Sequence, residues 1–85
     1  MDYQIHIATA EGFKYGIAID RMLDFHAARQ WLIQTYGHSE STDSPYWTLG
    51  EHLDLHWTWA IAYRNYAIFL KGDDEISWFK LKFGG

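Results

Sequence analysis

His52, Asp54 and His56 alternate along the chain, and alternation in an extended strand sends all three side chains to one face, about 7 Å apart from one to the next. Imidazole and carboxylate donors suit Zn2+ or another first-row metal, and three protein ligands with one position left open are the arrangement of a catalytic metal. The spacing weighs against this. On a flat strand His52 and His56 stand about 13 Å apart at their Cα atoms, whereas a metal sits about 2 Å from each donor, so both rings would have to lean far inward. A further ligand such as His6 would have to join them. A solvated polar strand face accounts for the same three residues without any ligand, so they are weak metal candidates and no cofactor is expected.

Arg29 is the second residue of interest. It is the one charge within an otherwise apolar helical stripe, beside Met22, Phe25 and Leu32. Either its stem is buried with the head reaching water or a carboxylate, or the guanidinium contacts an anion or a partner. A third candidate is the stretch His38-Ser39-Glu40-Ser41-Thr42-Asp43-Ser44, acidic and rich in side-chain oxygens, which can present phosphate-like groups to a basic surface. Loop composition alone already accounts for this stretch. On the first account Glu40 and Asp43 are charge contacts, with Tyr46, Trp47 and Trp31 as aromatic anchors of the kind that dominate protein interfaces. At 100° per residue Trp31 falls about 120° from the centre of its helical stripe, which predicts partial exposure. The chain offers no glycine-rich phosphate loop, no activated nucleophile and no paired carboxylates of catalytic spacing, and an enzyme is not expected.

Positioning these residues requires a scaffold, and the periodicities predict one. Residues 3–9 alternate apolar and polar, and after Ala10-Glu11-Gly12 the alternation resumes at Phe13, Tyr15, Ile17 and Ile19, a hairpin pattern. Asp20 stands where an N-cap would, and the run from Arg21 to Tyr36 lacks glycine and proline and ends at Gly37. That predicts a helix over 21–36, with Met22, Phe25, Ala28, Leu32, Ile33 and Tyr36 on its sheet-facing side. Residues 38–45 read as an exposed loop. Beyond Gly50, Leu53, Leu55, Trp57, Trp59 and Ile61 alternate with His52, Asp54, His56, Thr58 and Ala60, the clearest strand in the chain. A turn near Arg64-Asn65 returns Tyr66–Lys71 antiparallel. The segment 73–83 fits either period, but Asp73 as a cap, acids early, lysines late and Gly84 as a stop favour a helix. The expected architecture is a single α+β domain over 1–85, β-β-α-β-β-α, with a four-stranded antiparallel sheet and the helices packed on one face. The other face, lined by His52, Asp54, His56 and Thr58, is then left to water or a partner.

Composition limits the function classes. Eighty-five residues suffice for one core, the absence of cysteine removes disulfides and thiolate metal sites, and 19% aromatic residues supply the burial instead. A formal charge of −4 with seven lysines and arginines scattered along the chain argues against direct nucleic-acid binding. No secretory leader or membrane-length apolar run is evident, so a cytoplasmic location is expected.

The run from Tyr66 to Gly84, in which Tyr66-Ala67-Ile68-Phe69-Leu70-Lys71 leads through Gly72-Asp73-Asp74-Glu75 into Phe79-Lys80-Leu81-Lys82-Phe83-Gly84, resembles the ending of many small, uncharacterised tailed-bacteriophage proteins. The likeness covers under a quarter of the chain and departs at Ile76-Ser77-Trp78, where those proteins more often carry alanine and aliphatic residues. It implies a phage origin and a host bacterial cytoplasm, and carries over no catalytic residue. The function expected is that of a small phage-encoded binding protein that inhibits or redirects a host protein, a defence or nucleic-acid-processing enzyme being the candidate class. The alternatives are a self-associating structural or virion protein and, behind that, a small metal-binding enzyme.

Overall fold

The structure, a computed structural model, describes residues 1–8, 12–37, 39, 55–62 and 65–84. Its elements are β1 (Tyr3–Ile7), β2 (Tyr15–Ile19), α1 (Met22–Tyr36), β3 (Trp57–Ala62), β4 (Asn65–Leu70) and α2 (Asp73–Phe83). This is the expected β-β-α-β-β-α order. The strands form one antiparallel sheet in the spatial order β1-β2-β4-β3, so the hairpin formed by the last two strands docks onto β2 through β4 and leaves β1 and β3 as edges.

The register aligns side chains in rows across all four strands. Tyr3, Ile19, Tyr66 and Ile61 form one row, Ile5, Ile17, Ile68 and Trp59 the next, and Ile7, Tyr15, Leu70 and Trp57 a third, all on the face that the helices cover. Ile17, Ile68, Leu70 and Trp57 from these rows meet Phe25, Ala28 and Leu32 of α1 and Ile76 and Phe79 of α2 in the core. Rings dominate its rim. Phe25 lies 5.2 Å from Tyr66 and 6.2 Å from Trp59, and Phe79 lies 5.2 Å edge-on from Tyr3.

The alternate rows correct an expectation. Gln4, Ala18, Ala67 and Ala60, then His6, Gly16, Phe69 and Thr58, lie on the face away from the helices, yet Thr58 is fully buried and Phe69 nearly so. That face is therefore not left to water along its length. Its small residues make it flat, and Gly16 leaves room for the His6 ring: a Cβ there would stand 2.5 Å from the imidazole Cε1.

The helix ends differ in detail from the sequence expectation. Asp20 does not cap α1. The cap position is Arg21, in extended conformation with no side-chain cap bond, and its carbonyl accepts from the Phe25 amide at 3.0 Å. At the other end Gly37 takes φ 94° and ψ 177°, a region essentially closed to side chains, and its amide donates to the Ile33 carbonyl at 2.9 Å. Helix α2 starts from Gly72, and Asp73 is its first residue rather than its cap, because the carboxylate is held elsewhere. Within α1 the buried stripe is narrower than predicted. Met22 is 51% exposed and Ile33 is exposed as well, while Arg29, Trp31 and Tyr36 are half-buried.

Strand β3 begins only at Trp57, so His56 precedes it at a bend. Asn65 already pairs with Ala62, and the connecting residues 63–64 lie outside the described residues. The predicted loop 38–45 also lies outside them, apart from Ser39, which is buried instead of exposed and donates from its Oγ to the Trp57 carbonyl. Among the described residues no helix is long and apolar enough to cross a membrane.

Candidate functional site

Of the residues singled out in the sequence, Glu40, Asp43, Tyr46, Trp47, His52 and Asp54 lie outside the described residues. Of the others, Trp31 and His56 both touch Tyr36, while Arg29 lies against Trp59 and Phe25. Trp31 is half-buried, and its indole stands edge-on to Tyr36, Phe79 and Phe83 at 6.4, 6.1 and 5.6 Å, so it joins α1 to α2. Arg29 lies with its guanidinium carbon 4.2 Å from the centre of the Trp59 ring and 5.7 Å from that of Phe25. The positive fork is thus held against the negative faces of two rings, and no carboxylate among the described residues pairs with it. Its buried Nε has no hydrogen-bond partner among the described residues, and the same holds for Trp59 Nε1 and the Tyr36 hydroxyl.

Of the three metal candidates, only His56 lies among the described residues. The His56 ring stacks on Tyr36 at 5.0 Å and 26°, on the helix side, and not on the polar face of a strand. Burial, followed by the nearby Glu75 and Asp74 charges, raises the Tyr36 phenol above its ordinary value. His6 belongs to β1, at the opposite edge of the sheet from β3. Three strand spacings, about 14 Å, separate those edges, too far for His6 to join His56 on one ion. Among the described residues no group of three His, Cys, Asp or Glu is placed to hold a metal.

The densest polar cluster among the described residues is one that the sequence reading missed. Asp73 at the start of α2 accepts from Lys14 Nζ at 3.0 and 3.2 Å and from the Tyr15 hydroxyl. The Tyr15 and Lys14 bonds hold the Asp73 carboxyl below the usual carboxylate range, while Asp73 raises both Lys14 and Tyr15. Each shift widens the pH range in which the group keeps its ordinary protonation state. That is the behaviour of a staple between β2 and α2, and the reverse of what a general acid or base near neutrality requires. The signal lay in the alternation of Lys14-Tyr15, but its partner is 58 residues further on.

Among the described residues, exposed apolar side chains occur on α1, where Met22 and Leu23 adjoin, and on β3 at Ile61, as well as on α2 and β1. On α2, Ile76, Phe79 and Phe83 point inward, and at 100° per residue Trp78 and Leu81 fall roughly 130° and 170° from the centre of that face. They are 58% and 78% exposed. Three residues apart, they are neighbours on the outer surface, with acidic residues Asp73, Asp74 and Glu75 in the first turn and Lys80 and Lys82 in the last. On β1, Ile5 is 36% exposed and Ile7 84%. Trp78 is legible as an outward residue once 73–83 is known to be a helix, and the period alone left that open. No protein-family model, curated protein or solved structure matches the chain.

Proposed function

We propose that this is a phage-encoded binding protein that works in the cytoplasm of the infected bacterium by occupying a surface of a host protein, without turnover. The observation that carries the reading is the Trp78–Leu81 pair on the outer face of α2. A tryptophan is a costly residue to leave in water and is over-represented among the few side chains that dominate binding energy, where it fills a pocket on the partner. The acidic balance of the chain favours a partner with a basic surface, and a nucleic-acid-processing or defence enzyme supplies one. The Lys14–Tyr15–Asp73 staple supports the same reading, since it fastens α2 to the sheet so that the outer face is presented rigidly.

Affinity capture from host lysate at low and high ionic strength, with the unaltered chain and with Trp78→Ala in parallel, tests this. A protein retained by the first, lost with the second and weakened by salt is the expected result. No retained protein at low salt, or one that is indifferent to Trp78→Ala, overturns it.

A further inference from the structure

We propose that β1 is a self-association edge, through which two copies of the chain pair their Tyr3–Ile7 strands antiparallel about Ile5 and join two sheets into one. The phase of the ladder supports this. The Ala8 amide donates to the Lys14 carbonyl at 3.1 Å, next to the Ile7–Tyr15 pair, so the even residues of β1 bond inward to β2. The N–H and C=O groups of Tyr3, Ile5 and Ile7 consequently point off the sheet, where no strand among the described residues meets them.

The two edges of the sheet are treated differently. At β3 the outward carbonyl of Trp57 accepts from the Ser39 hydroxyl, and the Trp57 indole donates to the Gly37 carbonyl at 3.0 Å, so chain from beyond α1 covers that end. Among the described residues, no such cover lies on β1. From Tyr3 to Ala8 there is no lysine, arginine, acid or proline, which are the devices that keep free edges apart. The His6 ring reaches the Ile7 carbonyl at 3.1 Å, and that oxygen retains a second lone pair.

A two-fold axis through Ile5 is self-complementary. It opposes Ile5 to Ile5 of the second copy and Ile7 to Tyr3, each of the three being a hydrogen-bonded pair, for about six inter-chain bonds. All of these odd residues lie on the helix-covered side, so Ile7 moves from open water to the flank of a tyrosine. The rotation places Asp2 opposite Ala8, and no like charges meet. A five-residue edge buries less than the ~1,200 Å² of a standard interface, so the dimer is weak, with Kd on the order of 10–1000 µM.

Sedimentation over a concentration series, read together with amide exchange, tests the pairing. The expected result is a monomer–dimer equilibrium in which the Ile5 amide becomes protected as dimer forms, with an inter-chain NOE between the α-protons of Gln4 and His6. Ile7→Lys, at an exposed site, weakens the dimer about tenfold or more. Ile5→Pro deletes an outward donor but no bond to β2, and weakens it too. A chain that stays monomeric at about 2 mM, or a dimer that neither substitution weakens, overturns the proposal. In the first case the edge is left to a strand of another protein. The test does not involve Trp78, so its failure is distinct from failure of the host-binding reading.

Discussion

Phe79→Ala and Leu81→Ala, two residues apart, separate the helical reading of 73–83 from the strand reading by magnitude. In a strand Phe79, Leu81 and Phe83 share one face and share its burial. In α2 the Phe79 side chain is fully buried, with Phe83 4.7 Å away and Tyr3 and Trp31 edge-on beside it, while Leu81 points to solvent. Deleting a buried phenylalanine ring costs about 3–5 kcal/mol, the lost transfer energy plus the cavity left between rings that cannot collapse. A chain of this length has a total stability of roughly 4–13 kcal/mol at ~0.05–0.15 kcal/mol per residue, so the loss is a large fraction of it. At ~4–8 °C per kcal/mol the melting temperature falls on the order of 20 °C. Leu81→Ala changes stability by no more than about 0.5 kcal/mol, because its side chain gains little on folding. Urea unfolding followed by tryptophan fluorescence and by far-ultraviolet dichroism measures both. If Leu81→Ala costs as much as Phe79→Ala, or if Phe79→Ala costs less than about 1 kcal/mol, the docking of α2 through Phe79 is refuted.

Arg29→Met removes a cation over Trp59 worth about 0.5–2 kcal/mol, but also a buried Nε without a partner among the described residues, so thermal unfolding is expected to shift by only a few degrees in either direction. Loss of partner capture by that folded variant would make Arg29 a binding contact. Acid unfolding should depend on Asp73, whose pKa is lowered by Tyr15 and Lys14: its contribution is complete above the usual carboxylate value near 3.9 and is lost as pH falls through the lower folded value. Asp73→Asn should therefore destabilise the protein at neutral pH and lose less on acidification, and parallel acid-titration curves for the two proteins would refute the staple. Because Lys14 is raised by the same partner, its contribution persists up to the ordinary lysine value near 10.4 and disappears as pH rises through the higher folded one. Trp57→Phe deletes the indole bond to Gly37 and should cost at least about 1 kcal/mol, measured by denaturant unfolding.

Much of the scaffold is written locally. Period two in Tyr3–Ile7, Tyr15–Ile19 and Trp57–Ala62 and glycines at 37 and 84 are short-range signals, and each element they predict is present. The caps were read less well. Asp20 and Asp73 are good capping types, but side-chain bonding at a helix end competes with other partners, and Asp73 finds stronger ones in Lys14 and Tyr15. The candidate site was legible only in part. Trp31 was placed by angle alone, and the angle does not say that α2 lies beside it; with Phe79 and Phe83 as neighbours it is half-buried.

By itself, then, the sequence determined a cysteine-free, aromatic-rich α+β domain and the order of its six elements, because helical and strand periods and chain-reversing glycines act over a few residues. Only the tertiary structure decided which surfaces remain for use. Strand order is a non-local choice: the order β1-β2-β4-β3 puts β1 outermost among the described strands and turns its odd-numbered backbone groups outward. Burial on the second face is equally non-local, since Thr58 and Phe69 carry no local sign that they will be covered. The exposed Trp78 and the outermost place of β1 among the described strands follow from where whole elements dock, and docking is settled by packing between residues far apart in the chain.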